Sequence, residues 1–154
     1  MKPRVTIAGC VVAVWCAIAP VSVRAESAQA PSPAGRIKVM TGTVAIVRGG
    51  VSMPARLGEL VFEADALRTG ADGRVGITLV DDTRVSLGPD SNMRLDRFAY
   101  APADGRLALV MNFVHGVAAY VSGRIAKLAP DAVRLEMPSA IVGVRGTTLA
   151  ISVP

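Results

Sequence analysis

The stretch that decides the fold is residues 74–87, which read RVGITLVDDTRVSL. Apolar side chains occupy every second position on both sides of a central aspartate pair: Val75, Ile77, Leu79, Val85 and Leu87. This period of two is typical of β-strands that place one face on a core. We therefore predict two strands joined by a turn at Asp81-Asp82.

The numbering of these apolar positions restricts how the two strands can pair. All of them are odd-numbered, so they share one face only if directly opposed residues have numbers with an even sum, such as 79 and 85. A two-residue loop at Asp81-Asp82 would pair Leu79 with Arg84 and bury the wrong set. We therefore expect a turn of odd length with Asp82 in the left-handed conformation, or an arc between stacked layers.

The same alternation recurs on both sides of this hairpin. Val44 and Ile46 alternate with smaller residues, as do the apolar residues of the stretches 133–137 and 148–153. Glycine, proline and aspartate punctuate the chain at short intervals, which is expected of an all-β sandwich, barrel or solenoid. We predict an all-β, single-domain fold over residues 36–154, built from short strands in a sandwich or a solenoid-like arrangement.

Residues 1–25 have the three parts of a secretory signal peptide. Lys2 and Arg4 supply the charged start, residues 5–19 are apolar, and Val23-Arg24-Ala25 provides a cleavage motif. We expect cleavage between Ala25 and Glu26, with an uncleaved anchor as the alternative. Residues 26–35 are small, polar and proline-bearing, which predicts a flexible tether. The expected location is therefore periplasmic or secreted, without stable membrane insertion after cleavage.

Composition excludes several classes of protein. The chain is 51% hydrophobic and 19% charged, which argues against a disordered tail. Without Lys2, Arg4 and Arg24, 14 basic residues face 12 acidic ones, so the net charge falls from +5 to +2. A nucleic-acid partner is therefore not expected. Both cysteines, at positions 10 and 16, lie in the predicted signal peptide, which argues against a disulfide scaffold or a thiolate metal site in the β domain.

The sequence contains no set of residues that could form a catalytic or metal site. His115 is the single histidine, so neither a His/Cys metal cluster nor a Ser-His-Asp arrangement can be assembled. We therefore assign no catalytic, cofactor-binding or metal-binding residue, and we expect a protein that is not an enzyme and needs no cofactor.

Several motifs, taken in order, resemble the FecR domain family. The similarity begins with LRTGADGRV at residues 67–75 and continues through ITLVDDTRVSLGPDS at residues 77–91. It returns in HGV at residues 115–117 and closes with PSAIVGVRGT at residues 138–147. The most specific element is Gly143-Val144-Arg145-Gly146-Thr147. The chain departs from the family at Asp82, where Asp-Gly is usual.

The resemblance implies an extracytoplasmic, all-β and non-enzymatic domain. The family's best-known members carry a surface iron signal through the inner membrane to a sigma factor. Only Met1 to Arg4 precede the apolar segment, so we expect a stand-alone exported protein that lacks the cytoplasmic anti-sigma domain. The resemblance thus implies an envelope or outer-membrane protein as partner, without identifying it.

Two features are candidates for a structural or binding role. Arg145 lies in a stretch that reads as buried strand and tight turn, so we expect its guanidinium to cap backbone carbonyls, with a docking point as the alternative. The strands at the two ends of the domain are candidate docking edges, because β domains commonly bind partners through an unpaired strand. These are residues 43–47 and residues 148–153, the latter with Leu149, Ile151 and Val153.

The sequence therefore predicts a protein-interaction module in cell-envelope signalling or assembly. The alternative is a domain that binds cell-wall or surface glycan. The scarcity of tryptophan and tyrosine weighs against glycan binding, because sugar rings usually stack on exposed aromatic side chains.

Overall fold

The computed structural model describes residues 30–154, which form twelve strands and one short helix. The strands are β1 (Gly35–Thr41), β2 (Val44–Arg48), β3 (Val51–Pro54), β4 (Leu60–Val61), β5 (Ala66–Thr69), β6 (Arg74–Leu79), β7 (Arg84–Leu87), β8 (Asn92–Ala101), β9 (Arg106–Val121), β10 (Val133–Met137), β11 (Ala140–Gly143) and β12 (Thr148–Val153). Helix α1 (Arg124–Leu128) follows β9, and single 3₁₀ turns occur at Pro102–Asp104 and Pro130–Ala132.

The 16-residue strand β9 organises the whole sheet. Its first part lies between β8 and β10, and its last part lies between β7 and β12. The first half-sheet therefore has the order β4-β1-β6-β7-β9-β12, and the second has the order β3-β2-β5-β8-β9-β10-β11. The pairing of β9 with β10 is parallel, and the others are antiparallel.

The inner faces of the two half-sheets share one core. Ile77, Leu79 and Tyr120 come from the first half-sheet, and Leu95 and Met111 come from the second; all are at most 2% exposed. Apolar burial of this kind contributes about 25 cal/mol per Å² and is the main stabilising term. The prediction of an all-β single domain is confirmed.

The predicted hairpin register is also confirmed. Ile77 lies opposite Val85, and Val75 lies opposite Leu87, so the odd-numbered residues face the core together. The N–H of Leu79 donates to the carbonyl of Thr83 at 2.8 Å, which leaves a loop of three residues. Within it, Asp82 has a φ of 67°, the left-handed conformation that the odd loop requires.

Asp81 connects this hairpin turn to α1. Its buried carboxylate accepts hydrogen bonds from the N–H of Thr83 at 3.1 Å, the hydroxyl of Thr83 at 2.7 Å and the N–H of Ile125 at 3.3 Å. The Thr83 hydroxyl also accepts from the N–H of Gly123 at 3.1 Å. A Cβ atom at Gly123 would lie 2.4 Å from the carbonyl oxygen of Asp81, so the approach requires glycine.

A second group of hydrogen bonds, the Thr69–Ser91 cluster, holds β9 where it passes from one half-sheet to the other. The hydroxyl of Ser91 accepts from the N–H of Val117 at 3.0 Å, and the hydroxyl of Thr69 accepts from the N–H of Ser91 at 2.9 Å. Gly116 has a φ of 97°, and a Cβ atom there would lie 2.3 Å from the Ser91 hydroxyl. Thr69 and Ser91 both belong to the motifs that suggested the family, and here they support the sheet.

A half-buried ion pair secures the turn between β4 and β5. Arg48 donates to both carboxylate oxygens of Asp65, at 2.9 and 2.7 Å, and its guanidinium lies 4.7 Å from the centre of the Phe62 ring. The hydrogen bonds to Asp65 raise the pKa of Arg48. Two-point contacts of this kind favour arginine over lysine, because the planar guanidinium matches a carboxylate.

Two expectations need correction. The predicted tether extends to residue 35, but Ala34 and Gly35 are buried, and the N–H of Ala34 donates to the carbonyl of Val61 at 2.8 Å. The predicted docking edge at residues 43–47 is wrong, because β2 pairs with β3 on one side and with β5 on the other. Both errors concern pairing between segments that are far apart in the chain, which the local alternation of apolar residues does not determine.

The predicted signal peptide at residues 1–25, its cleavage site between Ala25 and Glu26, and residues 26–29 of the tether lie outside the described residues. Among residues 30–154, no helix has the length and hydropathy needed to cross a membrane.

Candidate binding groove

The outer face of the first half-sheet carries a row of small side chains that crosses five strands. Pairing places Val39 opposite Gly76, Gly76 opposite Ser86, Ser86 opposite Ala119, and Ala119 opposite Ala150. Val39 faces outward, although Ile37 faces the core, because the register shifts between these two residues. The row spans four inter-strand spacings of about 4.8 Å, or about 19 Å in all.

Larger residues flank this row on both sides. Arg84 and Val121, which are paired, lie on one side, and Arg74 and Val117 lie on the other. A groove is present on the side of Arg74 and Val117, where Gly88, Pro89 and Ser152 complete its border. Its cavity volume is about 740 Å³.

The groove is mainly apolar, and Arg74 is the charged residue among those that line it. Val117 is 46% exposed on β9, next to Ala150 and Ser152 of β12. Outside the groove, the same face of the half-sheet carries Arg84 on β7, and Arg36 and Lys38 of β1 line a separate depression together with Asp82. No aspartate or glutamate occurs in the strands of this half-sheet between residues 35 and 153.

These basic residues have no acidic partner among the described residues. The described ion pairs join Arg48 to Asp65 and Arg124 to Asp82, with three more formed by Arg94, Arg106 and Arg145. Asp72, the acid of the turn before Arg74, accepts a hydrogen bond from the N–H of Thr43, which lowers its pKa. Arg74 is therefore the one cation among the lining residues of the groove, and the exposed Asp72 carboxylate lies two residues away in the chain.

Strand β12 forms one border of the groove and one edge of the sheet. It pairs with β9, and within residues 30–154 no other strand pairs with it. The N–H of Ser122 donates to the carbonyl of Thr147 at 3.2 Å, so residues 149, 151 and 153 direct their backbone groups toward β9. The N–H and C=O groups of Thr148, Ala150 and Ser152 consequently point to the open edge.

The predicted docking residues Leu149, Ile151 and Val153 do not face a partner with their side chains. Ile151 and Val153 are each 8% exposed, and Leu149 packs against the core. What β12 offers is its open backbone edge and the outward side chains of Thr148, Ala150 and Ser152. The six residues of β12 contain no charge, in contrast to many protected edge strands.

The motif Gly143-Val144-Arg145-Gly146-Thr147 connects β11 to β12. Val144 is buried at 2% exposure, and Gly146 has a φ of 60°, so these two positions have a packing and a turn role. The Arg145 side chain is 80% exposed, and its one described polar contact is Asp131 at 3.7 Å. The expectation that Arg145 caps backbone carbonyls is therefore wrong: the turn directs the guanidinium into solvent.

The described aromatic rings do not form a platform for sugars. Phe113 and Tyr120 are buried, Phe62 packs under Arg48, and Phe98 and Tyr100 pack against the core. Stacking of a glycan needs an exposed ring face, so nothing in this part of the chain favours the glycan-binding alternative.

The sequence alone does not indicate the groove. Gly76, Ser86, Ala119 and Ala150 look like ordinary small residues on the solvent side of separate strands. A signal was present in the hairpin itself, where Gly76 and Ser86 share the outward face between Arg74 and Arg84. The contributions of β1, β9 and β12 could not be anticipated without the strand order.

A comparison with family models gives a match to FecR protein over residues 65–153, more than half of the chain. The match includes the hairpin of β6 and β7, the Thr69–Ser91 cluster, β9 and β12. No curated protein and no solved structure matches the chain.

Proposed function

Because the chain belongs to the FecR family, we propose that it is an exported, non-enzymatic β domain that acts by binding another protein of the cell envelope, in signalling or assembly. The observation that carries this proposal is the open edge of β12 beside the groove. An uncharged edge strand of six residues is prone to pair with another chain unless a specific partner covers it.

The backbone direction of β12 provides a sharp test of edge binding. The N–H of Ser152 points away from β9, so Ser152→Pro removes a donor that this sheet does not use. We expect that variant to keep its melting temperature within a few degrees and to lose partner binding. Ile151→Pro is the contrasting control, because it removes a hydrogen bond to β9 and disturbs a side chain that is 8% exposed.

Binding is best measured in intact cells. A photo-crosslinking amino acid at Ala150, on the border of the groove, should trap one envelope protein, and Ser152→Pro should abolish the adduct. The same amino acid at Ser52, exposed on β3 in the other half-sheet, is the matched control position. Absence of a protein adduct at Ala150, or equal adducts at both positions, would refute the proposal.

Export is proposed on the sequence alone. Lys2, Arg4, the apolar residues 5–19 and the Val23-Arg24-Ala25 motif support cleavage before Glu26. N-terminal sequencing of the protein recovered from the periplasm or the medium should begin at Glu26. An intact Met1 on a membrane-bound product would instead support the anchored alternative.

A further inference from the structure

We propose that the open edge of β12 binds an uncharged β-strand of the partner protein. One large apolar side chain on the outward face of that strand, opposite Ala150, lies over Ala150 and Ala119 in the groove. This inference rests on the proposed function, because it assumes a protein partner at β12. It adds the conformation and polarity of the segment that binds, and one contact that determines which segment is preferred.

The backbone of β12 selects an extended segment. The N–H and C=O groups of Thr148, Ala150 and Ser152 point to the open edge, and within residues 30–154 no strand pairs with them. Their spacing of every second residue matches the hydrogen-bonding groups of another β-strand. An α-helix cannot pair with them in this way, because its own backbone groups are already bonded to each other. The pairing can extend over the six residues of β12.

The inner face of β12 determines the polarity of the added strand. Ile151 and Val153 are each 8% exposed, and Leu149 packs against the core, so the core reaches this edge. Inward side chains of the added strand would lie beside these three residues and extend the core. A charge at such a position would be buried without a partner, because β12 itself carries none. We therefore expect uncharged, apolar residues at the inward positions.

The outer face of β12 leaves an unfilled groove beside the added strand. The register places Ala150 opposite Ala119, Ala119 opposite Ser86, and Ser86 opposite Gly76. All four line the groove, Ala150 and Ala119 are exposed, and Val117 stands at the border with 46% exposure. An outward residue opposite Ala150 therefore meets only methyl groups across β12 and β9. A phenylalanine at that position can lie over both alanines and cover apolar surface that now contacts water.

The open edge and the groove form one continuous surface. Ala150, Ile151 and Ser152 belong to β12 and also line the groove. One strand can therefore satisfy the open backbone groups and, with a single side chain, fill the end of the groove nearest β12. A ligand without a peptide backbone would cover the groove but leave the edge open. This continuity is the reason for assigning a strand to the site.

The probe is a set of synthetic peptides as long as β12, with valine at inward positions, threonine at outward positions and a solubilising lysine at each end. One peptide has phenylalanine at the central outward position, and a second has alanine there. A third is the phenylalanine peptide with every backbone nitrogen methylated. With the protein purified as the cell produces it, we expect the phenylalanine peptide to bind at least about tenfold more tightly than the alanine peptide. The methylated peptide should not bind, because it lacks the N–H donors that pairing needs.

Filling the groove provides the decisive comparison. Ala119→Leu places a larger side chain on the exposed floor, so the variant should lose the preference for phenylalanine while it still binds the alanine peptide. The control Ala140→Leu makes the same change at an exposed position of β11 in the other half-sheet and should keep the preference.

Four results would overturn the proposal. They are equal binding of the phenylalanine and alanine peptides to the unchanged protein, a preference that survives Ala119→Leu, and undiminished binding of the methylated peptide. The fourth is self-association of the protein that Ser152→Pro abolishes, because a second copy would then cover β12.

Failure of this inference can be separated from failure of the proposed function. A crosslinking residue at Thr148 lies on the same edge as Ala150 but outside the groove lining, so it leaves the floor free. If its adduct forms in cells and depends on Ser152 but is unchanged by Ala119→Leu, protein binding holds and the side-chain contact fails. If no protein adduct forms at Thr148 or Ala150, the proposed function fails first.

Discussion

At the scale of single residues, the environment of Gly123 shows how a backbone contact can require one amino acid. The Gly123 backbone lies against the hairpin turn at Asp81 and Thr83, and a Cβ atom would lie 2.4 Å from both the Asp81 carbonyl and the Thr83 nitrogen. We expect Gly123→Ala to lower the free energy of unfolding by about 1–3 kcal/mol, the usual cost of overpacking. Urea denaturation measures this effect.

Gly143 provides the matched control for Gly123. A Cβ atom there meets nothing within 4 Å, so Gly143→Ala should change the free energy of unfolding by less than about 0.5 kcal/mol. Equal losses in the two variants would contradict the role of the close approach at Gly123.

Arg145 leads to the opposite expectation. Its side chain is 80% exposed, and Asp131, its partner at 3.7 Å, is 95% exposed. Exposed ion pairs contribute little, because solvent screens them and ordering two side chains costs entropy. Arg145→Ala should therefore leave the thermal midpoint nearly unchanged. A fall of many degrees would restore the turn-capping role that the sequence suggested.

Tyr120 is buried with a hydroxyl that has no hydrogen-bond partner among the described residues. The neighbouring Thr83 hydroxyl donates its proton to the Asp81 carboxylate, so it does not donate to the phenol oxygen. Burial raises the pKa of Tyr120 to about 12. The unfolded chain releases this proton from about pH 10, so the stabilisation is complete below pH 10 and is lost between about pH 10 and pH 12.

Tyr120→Phe tests this linkage. We expect a free energy of unfolding that is equal or higher by about 1 kcal/mol at pH 7, because an unsatisfied buried hydroxyl is removed. The alkaline loss should also become shallower. Urea midpoints from pH 8 to pH 12 measure both effects. A lower stability at pH 7 would mean that the hydroxyl has a partner after all.

At the scale of elements, the hairpin turn and α1 depend on Asp81 rather than on Asp82. Asp81→Ala leaves three donors without their buried acceptor and should cost about 2–4 kcal/mol. Asp82 has a φ of 67° and forms an exposed ion pair with Arg124, so Asp82→Gly should be tolerated within about 1 kcal/mol. Comparable losses in the two variants, measured by thermal melting, would contradict this division of roles.

At the scale of the whole molecule, β9 belongs to both half-sheets, and the two inner faces form one core. We therefore expect one cooperative unfolding transition rather than two. Far-ultraviolet circular dichroism reports the whole sheet, and tyrosine fluorescence reports Tyr100 in β8 and Tyr120 in β9. Coincident urea curves would agree with a single unit, and separate midpoints would show that the half-sheets unfold independently.

The sequence by itself determined the strand faces, the even-sum register of β6 and β7, and the left-handed Asp82, because each follows from local alternation and turn geometry. Only the tertiary structure decided that β2 is interior, that β12 is an edge, and that Arg145 points into solvent. The groove also depends on the tertiary structure. Its floor combines Val39, Gly76, Ser86, Ala119 and Ala150, residues far apart in the chain that become neighbours only when five strands pair. The local alternation of apolar and polar residues determines which face of each strand is buried. The order of the strands depends instead on the shared core and on the passage of β9 between the half-sheets.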